Sequence, residues 1–194
     1  MQRLNSVNPG DAEGRTRELL LTVEQAFGMV PNTARVMANS PAVLSSFLSF
    51  HAAMSDSRIG PQLLHQVKLA TSEANTCSYC TSILCAVAPS VGLTADDIVS
   101  GRSAASPDAR TNTALEFAKS VLENRGKVRD EQLLGMKDVG FDDAEIVEIV
   151  ASVVLACFTN FLNSVANTEL DIPRAEPVKS CTTGHCGAAV NAAC

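Results

Sequence analysis

Aromatic residues and positive charge are both scarce in this sequence of 194 residues. Tryptophan is absent, tyrosine occurs once and aromatic residues make up 4% of the chain, which argues against a platform that stacks on bases or sugars. The net charge is −6, with 15 basic against 21 acidic residues. We therefore expect no nucleic-acid partner and no binding to an anionic membrane surface. The length suits one sizeable hydrophobic core.

We expect no secretory signal, because the first residues of the sequence contain no apolar stretch. The uncharged run 149–168 is about as long as a membrane span, but it contains many polar side chains that hydrocarbon would penalise. We expect this run to form a buried or interface helix. The seven cysteines, without a secretory signal, indicate a reducing compartment and therefore a cytoplasmic protein.

Apolar residues recur at helical spacing along the chain, and neither βαβ alternation nor a hairpin signal is present. The sequence therefore predicts an all-α fold with one helical domain, residues 1–173, followed by a cysteine-rich tail, residues 174–194. We expect this tail to be mobile or docked as an arm. The expected helices are 15–27, 34–38, 41–54, 61–74, 77–88, a capped turn or two at 93–99, 104–124, 130–138 and 143–167.

Two cysteines, Cys77 and Cys80, stand three residues apart directly after Asn75 and Thr76, whose side chains favour the start of a helix. At this spacing the two thiols lie on one face of the helix, close enough to form a disulfide. The unpaired N–H groups and the positive end of the helix favour a thiolate, which lowers its pKa. We interpret the cysteines as a redox pair; half of a metal site and simple packing are the alternatives.

Three segments contain motifs that occur together in one known family. They are FGMVPNTARVMANSPAVLSSF at 27–47, VKLATSEANTCSYCTSILCAVA at 67–88 and GFDDAEIVEIVASVVLACFTNFLNSVAN at 140–167. With the Gly-x-x-Pro-Asn element, the Ser-Glu-x-Asn-x-Cys-x-Tyr-Cys signature and the late Asn-Phe-x-Asn element, the chain resembles the AhpD-like alkylhydroperoxidase branch of the carboxymuconolactone decarboxylase family.

This resemblance implies an all-α protomer that assembles into trimers or hexamers. It also implies a thiol-disulfide or peroxidase cycle at Cys77 and Cys80, with a hydroperoxide or disulfide as substrate, a thiol as electron donor and no cofactor. Two positions depart from the family pattern. Leu84 stands where active members usually have His, four residues after the second cysteine, and His65 stands where they usually have Glu, twelve residues before the first.

Three residues near the pair are candidate auxiliary groups. His65 could take a thiol proton or stabilise a thiolate, because an imidazole titrates near neutral pH; otherwise it is a polar residue of a helix surface or interface. Glu73 is interpreted either as a local proton relay or as a solvated charge. Tyr79 could donate a hydrogen bond to a substrate, or it could serve packing.

The remaining cysteines permit further interpretations. Cys85 could bring a third thiol near the pair, although a small buried hydrophobic residue is the simpler interpretation. In the tail, Cys181, His185 and Cys186 combine soft ligands that could bind Zn or Cu(I), and the thiols could form reversible disulfides. We expect Cys157 to belong to the core.

Three functions from different classes follow from these features. The first is a thiol-disulfide oxidoreductase of the alkylhydroperoxidase type that uses Cys77 and Cys80. The second is a non-enzymatic protein that binds soft metals or responds to stress through the pair, Cys85 and the tail. The third is a decarboxylase-type lyase, against which the cysteine pair counts because that branch does not need it. Turnover that disappears when the pair is mutated would identify the first.

Overall fold

The computed structural model describes residues 1–178, and every regular element within this range is helical. The predicted all-α class is therefore confirmed. In chain order the helices are α1 (Gly14–Phe27), α2 (Asn32–Met37), α3 (Pro41–Ser55), α4 (Gly60–Ala74), α5 (Ser78–Val87), α6 (Ala95–Arg102), α7 (Ala109–Glu123), α8 (Asp130–Asp138) and α9 (Asp143–Ala166), with short 3₁₀ turns at Pro9–Asp11 and Ala88–Val91.

Several helix starts follow directly from side chains that satisfy backbone N–H groups. The Ser40 hydroxyl accepts from the Val43 N–H at the start of α3. Asp142 and Glu145 form a reciprocal capping box at the start of α9. Such caps are typically worth about 1 kcal/mol, because the first N–H groups of a helix have no partner within it.

The seventh helix begins later than its apolar pattern predicts. The expected range was 104–124, but α7 starts at Ala109, with Asp108 as its N-cap accepting from the Thr111 N–H. Pro107 precedes this cap, and a proline disfavours helical backbone in the residue before it. Ala104 has a positive φ of 52°, so it belongs to the connection after α6.

The fourth helix lies at the centre of the fold and contacts α5, α6, α7 and α9. The largest core cluster includes Val67 of α4, Leu115 of α7 and Ile149 of α9, none of which is exposed to solvent. A second cluster joins α1, α2 and the start of α3. Because α4 leads directly into the turn before Cys77, this central packing fixes where the cysteine pair begins.

The last helix, α9, is long and apolar enough to cross a membrane by length and composition alone. In the fold it packs against α4 and α7 as a core helix. The face that it turns inward includes the buried polar residues Ser152, Asn160 and Asn163. The uncharged run 149–168 therefore forms the packed helix that its polar residues predicted, except for its last two residues, which follow α9.

Candidate active site

A short turn joins α4 to α5 and positions the cysteine pair. The backbone N–H of Cys77 donates to the carbonyl of Ser72 at 3.0 Å, which closes the turn. Thr76 adopts a left-handed backbone with φ of 53°. This conformation costs a non-glycine residue about 1 kcal/mol or more, so the packing of α4 and α5 must hold the turn in place.

Cys77 and Cys80 are joined by a disulfide, and their Cα atoms are 5.3 Å apart. Cys77 itself is the N-cap of α5, and its sulfur accepts a hydrogen bond from the Cys80 backbone N–H at 3.3 Å. The expectation that Asn75 or Thr76 would cap this helix is wrong, because Asn75 ends α4 and donates to Asn160 instead. The two residues are only 4% and 6% exposed. The predicted pair at a helix N-terminus is therefore present, and its sulfurs lie beneath the surface.

Two asparagines of α9 form hydrogen bonds with the pair and with the turn before it. The Asn163 amide nitrogen donates to the Cys80 sulfur at 3.3 Å, and both groups are buried. One turn earlier, the side-chain amide nitrogen of Asn160 donates to the Ser72 hydroxyl at 3.0 Å. The side-chain oxygen of Asn160 accepts from the side-chain nitrogen of Asn75 at 2.9 Å. These bonds tie α9 to the end of α4 and to the first turn of α5.

The side-chain amide oxygen of Asn163 is buried without a hydrogen-bond partner in this structure. A buried acceptor without a donor costs about 1–3 kcal/mol, so this oxygen needs an explanation. It belongs to the side chain that touches Cys80, whose thiol gains an S–H donor when the disulfide is reduced. Accepting from that thiol requires the amide to rotate, because its nitrogen faces the Cys80 sulfur in the disulfide form.

The other two cysteines in the described part of the chain are separate from the pair. Cys85 packs with Leu69, Ala88, Leu93 and Ile98 in a small apolar cluster of its own. Cys157 of α9 is half-buried, and its sulfur accepts from Asn75 at 3.6 Å. Burial raises the pKa of the Cys157 thiol despite this bond, so it is a poor nucleophile at neutral pH.

His65 is buried on α4, and its Nε2 lies 2.8 Å from the carbonyl oxygen of Leu84. Since a carbonyl only accepts, Nε2 carries the proton and donates. Burial lowers the pKa of His65, and the positive charge of Lys68 lowers it further. The hydrogen bond to the Leu84 carbonyl has the opposite effect, smaller than that of burial, and raises the pKa. The imidazole is therefore neutral at pH 7. It contacts the very residue that replaces the family's usual His, one turn after Cys80.

His51 is the other histidine on an apolar helix. Its ring centroid is 5.2 Å from that of Phe27 and 5.8 Å from that of Phe47. Burial, with a smaller effect of Lys68, lowers the pKa of His51 to about 4. This neutral, ring-packed environment is that of a structural histidine.

Glu73 forms an ion pair with Arg102 at the end of α6, with 3.0 Å between Oε2 and Nε. The Arg102 side chain is 6% exposed and that of Glu73 is 34% exposed. Arg102 also donates to the backbone carbonyl of Glu176 at 2.7 Å. Glu73 is thus engaged in a structural contact that connects α4, α6 and the segment after α9.

Tyr79 lies in the same buried cluster as the cysteines, and its hydroxyl is held by two partners. It donates to the Asp171 carboxylate at 2.9 Å and accepts from the Thr33 N–H at 3.2 Å. Burial, together with Asp171, raises the pKa of this phenol well above its ordinary value, while the backbone bonds oppose the shift. The hydroxyl here fastens the chain after α9 and does not face an open site.

The predicted metal ligands Cys181, His185 and Cys186 lie outside the described residues. Within residues 1–178, no group of three or more His, Cys, Asp or Glu side chains is arranged to hold a metal ion.

Comparison with known proteins supports the fold. No family model and no curated protein matches the sequence. Among solved structures, an AhpD-core, uncharacterized peroxidase-related protein from Ralstonia eutropha JMP134 shares 22% identity with a TM-score of 0.76, covering 88% of this chain and 92% of that one. An uncharacterized peroxidase-related protein from Silicibacter sp. TM1040 shares 19% identity with a TM-score of 0.74, covering 87% and 94%.

The debrominase Bmp8 in its apo form is also similar, with 18% identity, a TM-score of 0.73 and coverage of 86% of this chain and 90% of its own. A cysteine-to-alanine variant of that enzyme has been solved in complex with 2,3,4-tribromopyrrole. At these identities the similarity establishes the fold. The chain has the AhpD-like fold that the motifs predicted, with a cysteine pair at the start of a helix.

Three residues of the site were not assigned roles from the sequence. Asn163 could have been suspected, because two asparagines three residues apart interrupt an otherwise apolar helix and so share one face with a polar purpose. Arg102 and Asp171 give no comparable signal. Their partners, Glu73 and Tyr79, are distant in sequence, so the contacts emerge only from the packing of helices.

We predict that replacing Asn163 with Leu slows alkylation of Cys80 at pH 7 by roughly tenfold to a hundredfold, because a hydrogen bond to a charged sulfur is worth about 1.5–3 kcal/mol. Alkylation of the reduced protein by iodoacetamide, followed by peptide mass spectrometry across a pH series, measures the effect. Asn160→Leu is the matched control, since Asn160 is buried on the same face but bonds Ser72 and Asn75. An equal effect of the two substitutions would show that Asn163 acts only through the packing of α9.

Proposed function

We propose that the protein is a thiol-disulfide oxidoreductase of the alkylhydroperoxidase type. The observation that supports this most directly is the pair itself. Cys77 and Cys80 are within disulfide distance at a helix N-terminus, and each sulfur accepts an N–H hydrogen bond, from the Cys80 backbone and from Asn163. Donors directed at both sulfurs stabilise whichever thiolate forms during a cycle.

In the proposed oxidative half-reaction, a thiolate attacks one oxygen of a hydroperoxide and the O–O bond breaks. An alcohol leaves after taking a proton, and the cysteine becomes a sulfenic acid. The second thiol then attacks this sulfur, a disulfide forms and water departs. A disulfide substrate would be reduced through a mixed disulfide instead. In both cases the substrate gains two electrons and two protons, and an external thiol restores the pair.

We assign the attacking role to Cys77. Its sulfur is at the N-cap position, where it accepts from the Cys80 N–H and faces the positive end of α5. A helix N-terminus contributes about 0.3–1 kcal/mol at an exposed site and more where the site is partly buried. Cys80 then acts as the resolving thiol, and Asn163 holds it in place.

We further propose that His65 is the proton acceptor of the cycle. The imidazole is neutral at pH 7 because burial lowers its pKa, so it adds no positive charge but can accept a proton. Its Nε2–H is fixed on the Leu84 carbonyl, which leaves Nδ1 as the basic atom.

The similarity to a debrominase gives a second substrate class to test. Reductive removal of bromine also consumes two electrons, which a dithiol can supply as it becomes a disulfide. The assay of the protein should therefore include 2,3,4-tribromopyrrole beside hydrogen peroxide, an alkyl hydroperoxide and a disulfide substrate.

We also propose that the protein is a cytoplasmic homo-oligomer, a trimer or hexamer, that uses the outer face of α9. Val147, Val154, Phe161 and Val165 are each more than half exposed, and Phe158 is partly exposed beside them. Their spacing of seven, four, three and four residues is that of a coiled-coil seam. Such an apolar stripe on a surface indicates contact with another chain.

The first prediction from the proposed function concerns the pair. Cys77→Ser removes the proposed attacking thiol and should reduce turnover of a hydroperoxide or disulfide to background. Cys80→Ser cannot close the intramolecular disulfide and should turn over more slowly than wild type, through direct reduction of the Cys77 adduct by the external thiol. Cys157→Ser, which removes a half-buried thiol outside the pair, should keep most of the activity. Consumption of substrate in the presence of dithiothreitol measures this, and full activity in both pair variants would refute the proposed function.

The second prediction concerns His65. His65→Gln keeps a donor for the Leu84 carbonyl but removes the base, so oxidation of the pair at pH 7 should slow by about 10²-fold. The rate should recover as the pH rises and the thiol ionises without help. Stopped-flow oxidation across a pH series gives the profile, and a profile identical to that of the wild type would mean that His65 is structural.

The third prediction concerns assembly. Phe161→Glu places a charge within the apolar stripe of α9 and should shift the sedimentation mass from that of a trimer or hexamer toward the 20.4 kDa monomer. Leu134→Glu, on the exposed face of α8, is the matched control and should leave the mass unchanged. A monomeric wild type at micromolar concentration would contradict the proposed assembly.

A further inference from the structure

One lysine interrupts the burial of the central helix. From Leu63 to Ser72 of α4, every residue is buried except Lys68, which is partly exposed. Solvent therefore reaches this stretch of α4 at the Lys68 side chain. Lysine is rarely placed so deep in a fold without a partner, because an ammonium group removed from water needs an opposite charge or hydrogen-bond acceptors.

The Lys68 ammonium group has no ion pair within residues 1–178. In this range Lys119 and Lys137 form ion pairs with carboxylates, and Lys68 does not. Glu73, a carboxylate four residues before the cysteine pair, is engaged by Arg102. Burial lowers the pKa of Lys68 to about 8, so the side chain is mostly protonated at pH 7. An acidic chain thus holds a positive charge that needs a counter-ion.

Lys68 lies beside the groups to which we assign the redox chemistry. It is three residues after His65 and four before Ser72, and side chains at these spacings are neighbours on a helix, with about 5–6 Å between their Cβ atoms. Burial lowers the pKa of His65, and the positive charge of Lys68 adds to this effect. The Ser72 carbonyl accepts from the Cys77 N–H. The ammonium group is therefore about one helical turn from the proposed proton acceptor and from the residue that closes the turn before the cysteine pair.

Aromatic rings of α1 and α3 make the other side of this opening apolar. Burial and, less strongly, the positive charge of Lys68 lower the pKa of His51, so the two side chains are close enough to interact. The His51 ring is 5.2 Å from that of Phe27 and 5.8 Å from that of Phe47. Such rings exclude water, and a charge attracts an anion more strongly where less water screens it. The surroundings therefore suit recognition of a carboxylate on a small organic molecule.

We propose that Lys68 binds a carboxylate of the substrate, and that the protein prefers small organic hydroperoxides that carry such a group. This rests on the proposed redox function of Cys77 and Cys80 and names the substrate class of that site. The ammonium group donates hydrogen bonds to the carboxylate, which supplies the missing counter-ion. The hydroperoxide end of the molecule is thereby held toward the cysteine pair, and a neutral hydroperoxide lacks this contact.

The first test compares two alkylating reagents. Iodoacetate and iodoacetamide both alkylate a thiolate with loss of iodide and differ in charge, so the ratio of their rates at one cysteine is independent of the pKa of the thiol. The reduced full-length protein is treated with each reagent at pH 7, and modification of Cys77 and Cys80 is followed by peptide mass spectrometry. Lys68→Met should lower the ratio of the iodoacetate rate to the iodoacetamide rate by at least about threefold, because one partly buried positive charge is lost.

Three further variants separate charge from structure. Lys68→Gln should show the same decrease in the ratio, and Lys68→Arg, which keeps the charge, should retain most of the wild-type ratio. Lys119→Met removes an exposed lysine that pairs with Glu123 on α7, and it is the matched control whose ratio should stay unchanged. A wild-type ratio in both Lys68→Met and Lys68→Gln would overturn the proposal, including the case in which a carboxylate of a neighbouring subunit already occupies the site.

The second test measures substrate preference with a matched pair of hydroperoxides, cumene hydroperoxide and its para-carboxylate. The wild type should have the higher kcat/KM for the carboxylate, and Lys68→Met should reduce this preference by at least about threefold. A wild-type enzyme that reduces both compounds with equal kcat/KM would contradict the proposed substrate class. Turnover of neither compound would count against the proposed function alone, because the alkylation ratios require no hydroperoxide and still decide whether Lys68 attracts an anion to the cysteine pair.

Discussion

The contact between the inner face of α9 and the turn before α5 determines the geometry of the whole site. Asn160 and Asn163 replace what would otherwise be apolar contacts with directed hydrogen bonds, to Ser72, to Asn75 and to the Cys80 sulfur. Buried amides tolerate few alternative arrangements, because each unmade bond costs about 1–3 kcal/mol. The position of Cys80 relative to α9 is therefore determined by a directional hydrogen bond as well as by packing. The central helix α4 supports both α5 and α9.

Much of the fold could be read from local patterns, because those patterns report the interactions that form each helix. The boundaries of α8 and α9 follow from apolar spacing and, for α9, from the Asp142 cap, whereas the start of α5 is capped by Cys77 and not by Asn75 or Thr76. The start of α7 differs from the apolar pattern, because apolar spacing continues through Ala104 while Asp108 offers the stronger cap. Leu84 and His65 both depart from the family pattern in the sequence, yet their contact with each other is visible only in three dimensions.

The contacts that sequence could not supply are those between distant segments. Glu73 with Arg102, and Tyr79 with Asp171, connect residues far apart in the chain that carry no common spacing. In the expected mobile or docked arm, the described residues are held at Ala175 and Glu176, through a backbone N–H and a carbonyl that any sequence would provide. Main-chain contacts of this kind leave no trace in composition or periodicity.

The two faces of α9 have opposite chemistry, and this has a consequence for how the protein could sense its own concentration. The inner face holds the Cys80 sulfur through Asn163, and the outer face presents valines and phenylalanines to solvent. In the proposed oligomer, a small rotation that a neighbouring subunit imposes on the outer side of α9 would reach the amide on the inner side, because a helix moves largely as a rigid rod. Reactivity of the pair would then differ between the dispersed and the associated chain, which couples subunit equilibrium to redox state without any dedicated regulatory segment.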